Sequence, residues 1–164
     1  MELLIDTPEQ MAELGARLAL ELRAGDLVAL TGELGAGKTT FTRGLGAQLG
    51  VRNAVTSPTF VLARTHRRTA DGAPLVHVDA YRLGSAAELD DLDIDFAGSI
   101  VVVEWAAGML DGISDDWLEI DIVRPIGAST AAVDNSENDS IEPIEPRTVT
   151  VLGHGDRWAN LRLD

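Results

Sequence analysis

Apolar residues recur along the first third of the chain at two different spacings, and the alternation between them predicts helix, strand, loop and helix in turn. Thr7-Pro8-Glu9-Gln10 is a helix start, with Thr7 as N-cap, Pro8 in the first turn and Gln10 closing a capping box. Met11, Leu14, Leu18 and Leu22 follow at helical spacing, which predicts one buried face on a helix ending near Gly25. That helix either packs on a sheet or borders, at its start, the base of a bound nucleotide. Asp26-Leu-Val-Ala-Leu-Thr31 is a short run without a polar break, as a parallel strand covered on both faces requires. Phe41, Leu45 and Leu49 come next at intervals of four, the stripe of a second helix that stops at Gly50.

The later pattern is mostly strand. Phe60-Val-Leu-Ala-Arg-Thr-His66 and Pro74-Leu-Val-His-Val-Asp79 flank Asp71-Gly72, a tight hairpin signal, so antiparallel pairing joins the parallel run in a mixed sheet. Ser85-Ala-Ala-Glu88 is a capping box that opens a short acidic helix. Ile100-Val-Val-Val-Glu104 reads as a buried strand, and Trp117-Leu-Glu-Ile-Asp-Ile-Val123 alternates as a strand with one wet face. Residues 125–147 hold three prolines and five acids with few apolar anchors, the composition of a flexible insert or long surface loop. Thr148-Val-Thr-Val-Leu152 predicts a final edge strand with Trp158-Ala-Asn-Leu-Arg-Leu163 packed behind it. The expected organisation is a core over residues 1–124, the acidic segment 125–147, and a strand and tail over 148–164 in the same domain.

One loop carries far more chemistry than the pattern around it. Gly32-Glu33-Leu34-Gly35-Ala36-Gly37-Lys38-Thr39 is a complete Walker A sequence, placed between the apolar strand and the second helix. Its glycines let successive backbone N–H groups turn inward on phosphate oxygens, and the helix that opens at Lys38 and Thr40 favours the same anion. Lys38 is expected at the β- and γ-phosphates, with the Thr39 hydroxyl on Mg²⁺. Hydrolysis also needs an acid to organise the metal and a group to place water. Leu75-Val-His-Val-Asp79 and Ile100-Val-Val-Val-Glu104 both end in a carboxylate at what would be the ligand-binding edge of an open sheet. Glu104 is the first choice for the metal shell, and Asp79 then orients water or adds a second ligand. Thr56, Ser57 and Thr59 form a hydroxyl-rich segment that reads either as a switch or as an ordinary turn. Trp105 either stacks on adenine or packs in the core, and His77 is read as a structural strand histidine. Arg43 and Arg82 are candidates for an arginine finger in cis or for structural ion pairs.

Charge alters the list of partners. The 164 residues carry 27 Asp and Glu against 13 Lys and Arg, a formal net charge of −14. Clustered basic groups for a nucleic-acid backbone are therefore scarce, and strong direct nucleic-acid binding is not expected. The run Glu88, Asp90, Asp91, Asp93, Asp95 is either a solvated face or a docking surface for a basic protein. No cysteine is present, which excludes disulfides and thiolate metal sites. No apolar stretch reaches membrane-spanning length and no basic, apolar leader opens the chain, so the expectation is a cytoplasmic protein without membrane contact.

Four segments in order, Gly32–Thr40, Ser57-Pro-Thr-Phe60, His77-Val-Asp-Ala-Tyr-Arg-Leu83 and Val103-Glu-Trp105, resemble the TsaE (YjeE/YdiB) family over residues 7–123. The resemblance implies an α/β, P-loop NTPase-like three-layer fold and a small bacterial ATPase required for threonylcarbamoyladenosine beside the tRNA anticodon. ATP and Mg²⁺ would be the cofactors, with Lys38 and Thr39 on phosphates and metal and Glu104 completing the metal shell. Asp79 would be the critical carboxylate, Thr56 to Thr59 a switch-like loop, and Trp105 a neighbour of the nucleotide. The implied partners are the TsaB–TsaD pair, in which TsaD transfers the carbamoyl group and the ATP cycle of TsaE resets the assembly. Slow turnover by the chain alone is expected. A small-molecule P-loop kinase is the alternative, but the region after Asp79 supplies acids where such a kinase needs an arginine-rich lid. A GTP switch would need an Asn-Lys-x-Asp loop, and no Asn-Lys pair occurs. A nucleotide-binding module without turnover is the remaining reading.

Overall fold

The computed structural model describes residues 1–58, 62–106, 108–110, 112–124 and 145–163. Its centre is a mixed sheet of β1 (Glu2–Ile5), β2 (Leu27–Gly32), β3 (Ala63–His66), β4 (Leu75–Asp79), β5 (Ile100–Glu104), β6 (Trp117–Val123) and β7 (Arg147–His154). The spatial order is β1-β7-β6-β2-β5-β4-β3. Strands β6, β2, β5 and β4 run parallel, and the antiparallel pairs β3–β4, β6–β7 and β1–β7 extend the sheet on both sides. Every residue of β4 and β5 is buried, which is why both read as unbroken apolar runs rather than alternating ones.

One face of the sheet carries α1 (Pro8–Glu21) and α2 (Lys38–Leu49). Met11, Leu14 and Leu18 from α1 and Phe41, Leu45 and Leu49 from α2 meet Val28, Leu30, Val102 and Ile120 of the sheet. Burying a side chain of this size contributes about 1.5–3 kcal/mol. The two helices touch backbone to backbone: a Cβ on Gly15 would overlap the Phe41 carbonyl oxygen, and one on Gly44 would overlap that of Ala12. The opposite face is covered over β2, β5 and β4 by the short α3 (Ala86–Asp90) and by irregular chain bearing Leu92, Phe96, Leu110 and Ile113. Glu88, Asp90, Asp91, Asp93 and Asp95 are all exposed there.

The caps form as the sequence dictates. The Thr7 hydroxyl accepts from the Gln10 N–H at 3.2 Å, and the Gln10 side chain reaches one residue further back, to the Asp6 N–H. Ser85 likewise caps α3. Four expectations need correction. Helix α1 stops at Glu21, before the turn that places Gly25 at positive φ. The Asp71-Gly72 signal lies within an eight-residue connection from β3 to β4 rather than a two-residue turn. Residues 147–154 form an interior strand between β6 and β1, because Glu2–Ile5, too short to show a pattern, pairs along its outer side as the true edge. Strand β3 begins at Ala63, and Thr59 and Phe60 lie outside the described residues, as does all of 125–147 except its last three. Trp158 and Leu163 are buried in the helix-bearing core, and Arg157 ties them to the sheet through Asp26 at 3.1 Å.

Gly15→Ala tests the helix contact with its sign fixed in advance. Propensity alone favours alanine by about 1 kcal/mol, but overlap with a backbone carbonyl cannot relax by rotamer change and costs about 1–3 kcal/mol or more. A lowered urea midpoint is expected, and an unchanged or raised midpoint would refute the close contact.

Candidate functional site

The site grows from the end of β2. Its last residue, Gly32, takes φ +146° and passes so close to β6 that a Cβ would stand 2.6 Å from the Ile122 carbonyl oxygen. Gly37, at φ +117°, then caps α2, so the N-terminal turn of the helix starts at Lys38 directly after the loop. Lys38 is buried, and its Nζ donates to the carbonyls of Gly32 at 2.7 Å and Glu33 at 3.1 Å while lying 3.9 Å from the centre of the Trp105 ring. Burial pulls its pKa below the ordinary lysine value, and attraction to Glu104 and Asp79 opposes that pull.

Register delivers the carboxylates. Leu30 of β2 stands opposite Glu104 of β5, which stands opposite Asp79 of β4. Strand partners point to the same side, so both acids lie on the face that carries α1 and α2. The two differ in their bonds. Asp79 accepts from the Tyr81 N–H at 3.0 Å and so caps the 3-10 turn Ala80–Arg82, a structural duty beside any chemical one. Glu104 instead takes His77 Nε2 at 2.7 Å, with His77 fully buried. Toward an ionised Glu104 that nitrogen is the donor, which leaves His77 Nδ1 without a partner among the described residues. His77 is therefore the residue that reading by type undervalued. The usable signal was its place two residues before Asp79, on the same face of the strand.

A cavity of about 220 Å³ lies on the loop, lined by Lys38, Thr39, Thr40, Ser57, Glu104 and Trp105 together with Leu34, Gly35 and Gly37. A second, of about 250 Å³, opens on the other side of Gly35, Gly37 and Thr40 and is lined by Asp6, Thr7, Pro8, Met11, Ala36, Glu145 and Arg147. The start of α1 and the loop therefore wall one cavity from opposite sides. Glu33 and Leu34 are exposed, Leu34 at 87%. Trp105 sits at φ +62°, held by its N–H on the Leu30 carbonyl and by an edge contact with Tyr81. Of the hydroxyl segment, Ser57 reaches the phosphate-loop cavity, while the Thr56 hydroxyl is taken by Arg64 at 2.9 Å. Arg43, exposed on α2, and Arg82, on the turn after Asp79, are not among the residues lining either cavity.

The sheet order, the glycine loop between β2 and α2, and the acids at the ends of β4 and β5 define a protein of P-loop NTPase-like architecture. Residues 5–130 match the family described as threonylcarbamoyl adenosine biosynthesis protein TsaE. A tRNA threonylcarbamoyladenosine biosynthesis protein TsaE from Streptomyces coelicolor is 55% identical over 152 residues, covering 91% of this chain and 94% of that one. Those of Mycobacterium tuberculosis and Bacillus subtilis are 46% and 38% identical, each over 71% of this chain and over 74% and 73% of their own. The crystal structure of Bacillus subtilis YdiB superposes with a TM-score of 0.67 at 30% identity, over 96% of this chain and 88% of that one. The chain belongs to the TsaE family.

Replacing His77 by leucine removes a hydrogen bond to a buried carboxylate, a change worth about 1.5–3 kcal/mol. His77→Leu is expected to lower the free energy of unfolding by that amount in urea titrations, with partial recovery in His77→Gln. A fully stable leucine variant would show that the pair is incidental.

Proposed function

We propose that this chain is a Mg²⁺-dependent ATP hydrolase whose cycle acts on the TsaB–TsaD complex during formation of threonylcarbamoyladenosine in tRNA, next to the anticodon. Family membership supports the biosynthetic role. The observation that carries the chemistry is the shared cavity: Lys38, Thr39 and Glu104 line one space at the start of α2. The Thr39 hydroxyl and Glu104 carboxylate are hard oxygen donors, a pair that suits a magnesium ion whose other ligands are water and phosphate oxygens. When bound, the metal would supply charge neutralisation on the β- and γ-phosphates.

The remaining work falls to the chain. Lys38 Nζ exchanges the carbonyls of Gly32 and Glu33 for β- and γ-phosphate oxygens, and the backbone N–H groups of residues 33–40 complete the cradle. Asp79, beside Glu104 in the sheet, holds the attacking water. The water oxygen bonds to the γ-phosphorus as the bond from that phosphorus to the bridging oxygen of ADP breaks, and the water's proton passes to the released phosphate. His77 fixes the rotamer of Glu104. Trp105 walls the phosphate cavity, and the nucleoside occupies the half-apolar cavity between the loop and Thr7–Met11, where a base meets Pro8 and Met11. A phosphoryl acceptor other than water would require several cationic groups after Asp79, and beyond Arg82 that stretch presents exposed acids.

Calorimetry and phosphate-release assays separate the roles. Lys38→Ala is expected to weaken Mg-ATP binding at least a hundredfold, whereas Glu104→Gln and Asp79→Asn lower kcat by about 10²–10⁴ with smaller changes in affinity. Full turnover in both carboxylate variants would remove this assignment. The partner reading is tested by hydrolysis with and without the cognate TsaB–TsaD pair. A low basal rate that rises with the pair is expected, and a rate indifferent to it would redirect the search to a phosphoryl acceptor.

A further inference from the structure

From Leu34 to Ala70 the chain carries Lys38, Arg43, Arg52, Arg64, Arg67 and Arg68 and no acid at all, within a protein where acids outnumber basic residues 27 to 13. None of these five arginines forms an ion pair among the described residues; Arg124, Arg147 and Arg157 do, and Arg17 and Arg23 do not. What sets the stretch apart is its composition: six basic residues and no acid over 37 positions segregate charge that an ordinary surface mixes.

The fold gathers three of them. Residues 50–52, just past α2, pair with the chain leaving β3: the Arg52 N–H donates to the Arg67 carbonyl, Val51 bridges Arg68, and Arg52 Nε donates to the Arg68 carbonyl. Around this knot lies a cleft of about 210 Å³ lined by Arg52, Arg67, Arg68, Thr69 and Gly72, with Asp71 as its one acid. Arg68 Nε is buried there without a hydrogen-bond partner among the described residues. The cleft is at the far end of α2 from Lys38, about 18 Å along a twelve-residue helix. Residues 53–58 then run from it back to Ser57 at the phosphate loop.

We infer that this arginine cleft docks a carboxylate-bearing surface of a protein partner. Planar guanidinium forks match carboxylates in two-point contacts. Screening confines attraction to about 8 Å at physiological salt, so a compact acidic patch feels the cleft and not the acidic remainder of the molecule. An RNA backbone is the poorer fit. It would extend past the three arginines onto a body rich in carboxylates, whose charge repels the phosphates. The cleft's partner in the test below, though not its chemistry, rests on the function proposed above.

The test uses the full chain and its Arg52→Glu/Arg67→Glu variant. Binding is measured to the cognate TsaB–TsaD pair, to a fluorescein-labelled poly-glutamate peptide and to an unmodified tRNA transcript, each at 50 and 300 mM KCl. Charge reversal is expected to weaken binding of the pair or the peptide at least tenfold, as does raised salt, while basal ATP hydrolysis and the melting temperature stay unchanged. Peptide binding that is lost on reversal, with no binding of the pair by either protein, keeps the cleft and rejects TsaB–TsaD as its partner. Unchanged binding of both the pair and the peptide overturns the inference. So does transcript binding that charge reversal abolishes while peptide binding persists, which would assign the cleft to RNA.

Discussion

Parallel pairing of β4, β5 and β2 fixes Asp79, Glu104 and Leu30 in one row across the sheet, and the rest of the site depends on that register. A slip of one residue would turn His77, Asp79 and Glu104 to the opposite face, away from Lys38 and beneath α3. The pattern resists such a slip because Leu75, Ile100 and Val102 would leave the helix-bearing core with them. Hydrophobic burial on two faces therefore sets the position of the carboxylates more firmly than any polar contact among them. The backbone contact of Gly15 and Gly44 does the same for α2, holding the helix start, and with it the phosphate loop, against the sheet end.

Within that frame the site concentrates charge where water is scarce. An ammonium and two carboxylates share the space at the ends of β2, β4 and β5. The attraction of Glu104 and Asp79 opposes, without cancelling, the penalty that burial places on Lys38, while the Tyr81 N–H and His77 bond the two acids. Such a set stays in place only if its supports are rigid. Trp105 illustrates the cost: a left-handed backbone at a bulky residue stores about 1–3 kcal/mol, and it persists because sheet pairing and the Tyr81 contact hold it over Lys38. Backbone strain, buried charge and positive-φ glycines all meet within this one corner of the molecule, the kind of departure from local rules that concentrates at functional sites.

The surface divides the opposite way. Acids line α3 and the chain that follows it, exposed and solvated, whereas the stretch from α2 to the β3 turn carries only positive charge. The formal total of −14 describes neither region. An average over the chain argues correctly against a broad grip on nucleic acid, yet it conceals a local field of the opposite sign created where the segments after α2 and β3 are drawn together.

Sequence alone determined what depends on neighbours along the chain. The Walker A loop, the strand before it, the caps at Thr7 and Ser85 and the buried runs ending in Asp79 and Glu104 were legible because each follows from local sterics, hydrogen bonding or periodicity. Other features were set only by tertiary structure. Glu2–Ile5 is a strand because β7 offers it an edge, and β7 lies inside the sheet for the same reason. Thr56 was indistinguishable from Ser57 in sequence, yet one is held by Arg64 and the other meets the phosphate-loop cavity. His77 looked like any buried strand histidine until β5 brought Glu104 within 2.7 Å. Periodicity records which face of an element is buried, but the group that a buried polar atom meets belongs to another part of the chain, and only the folded register brings the two together.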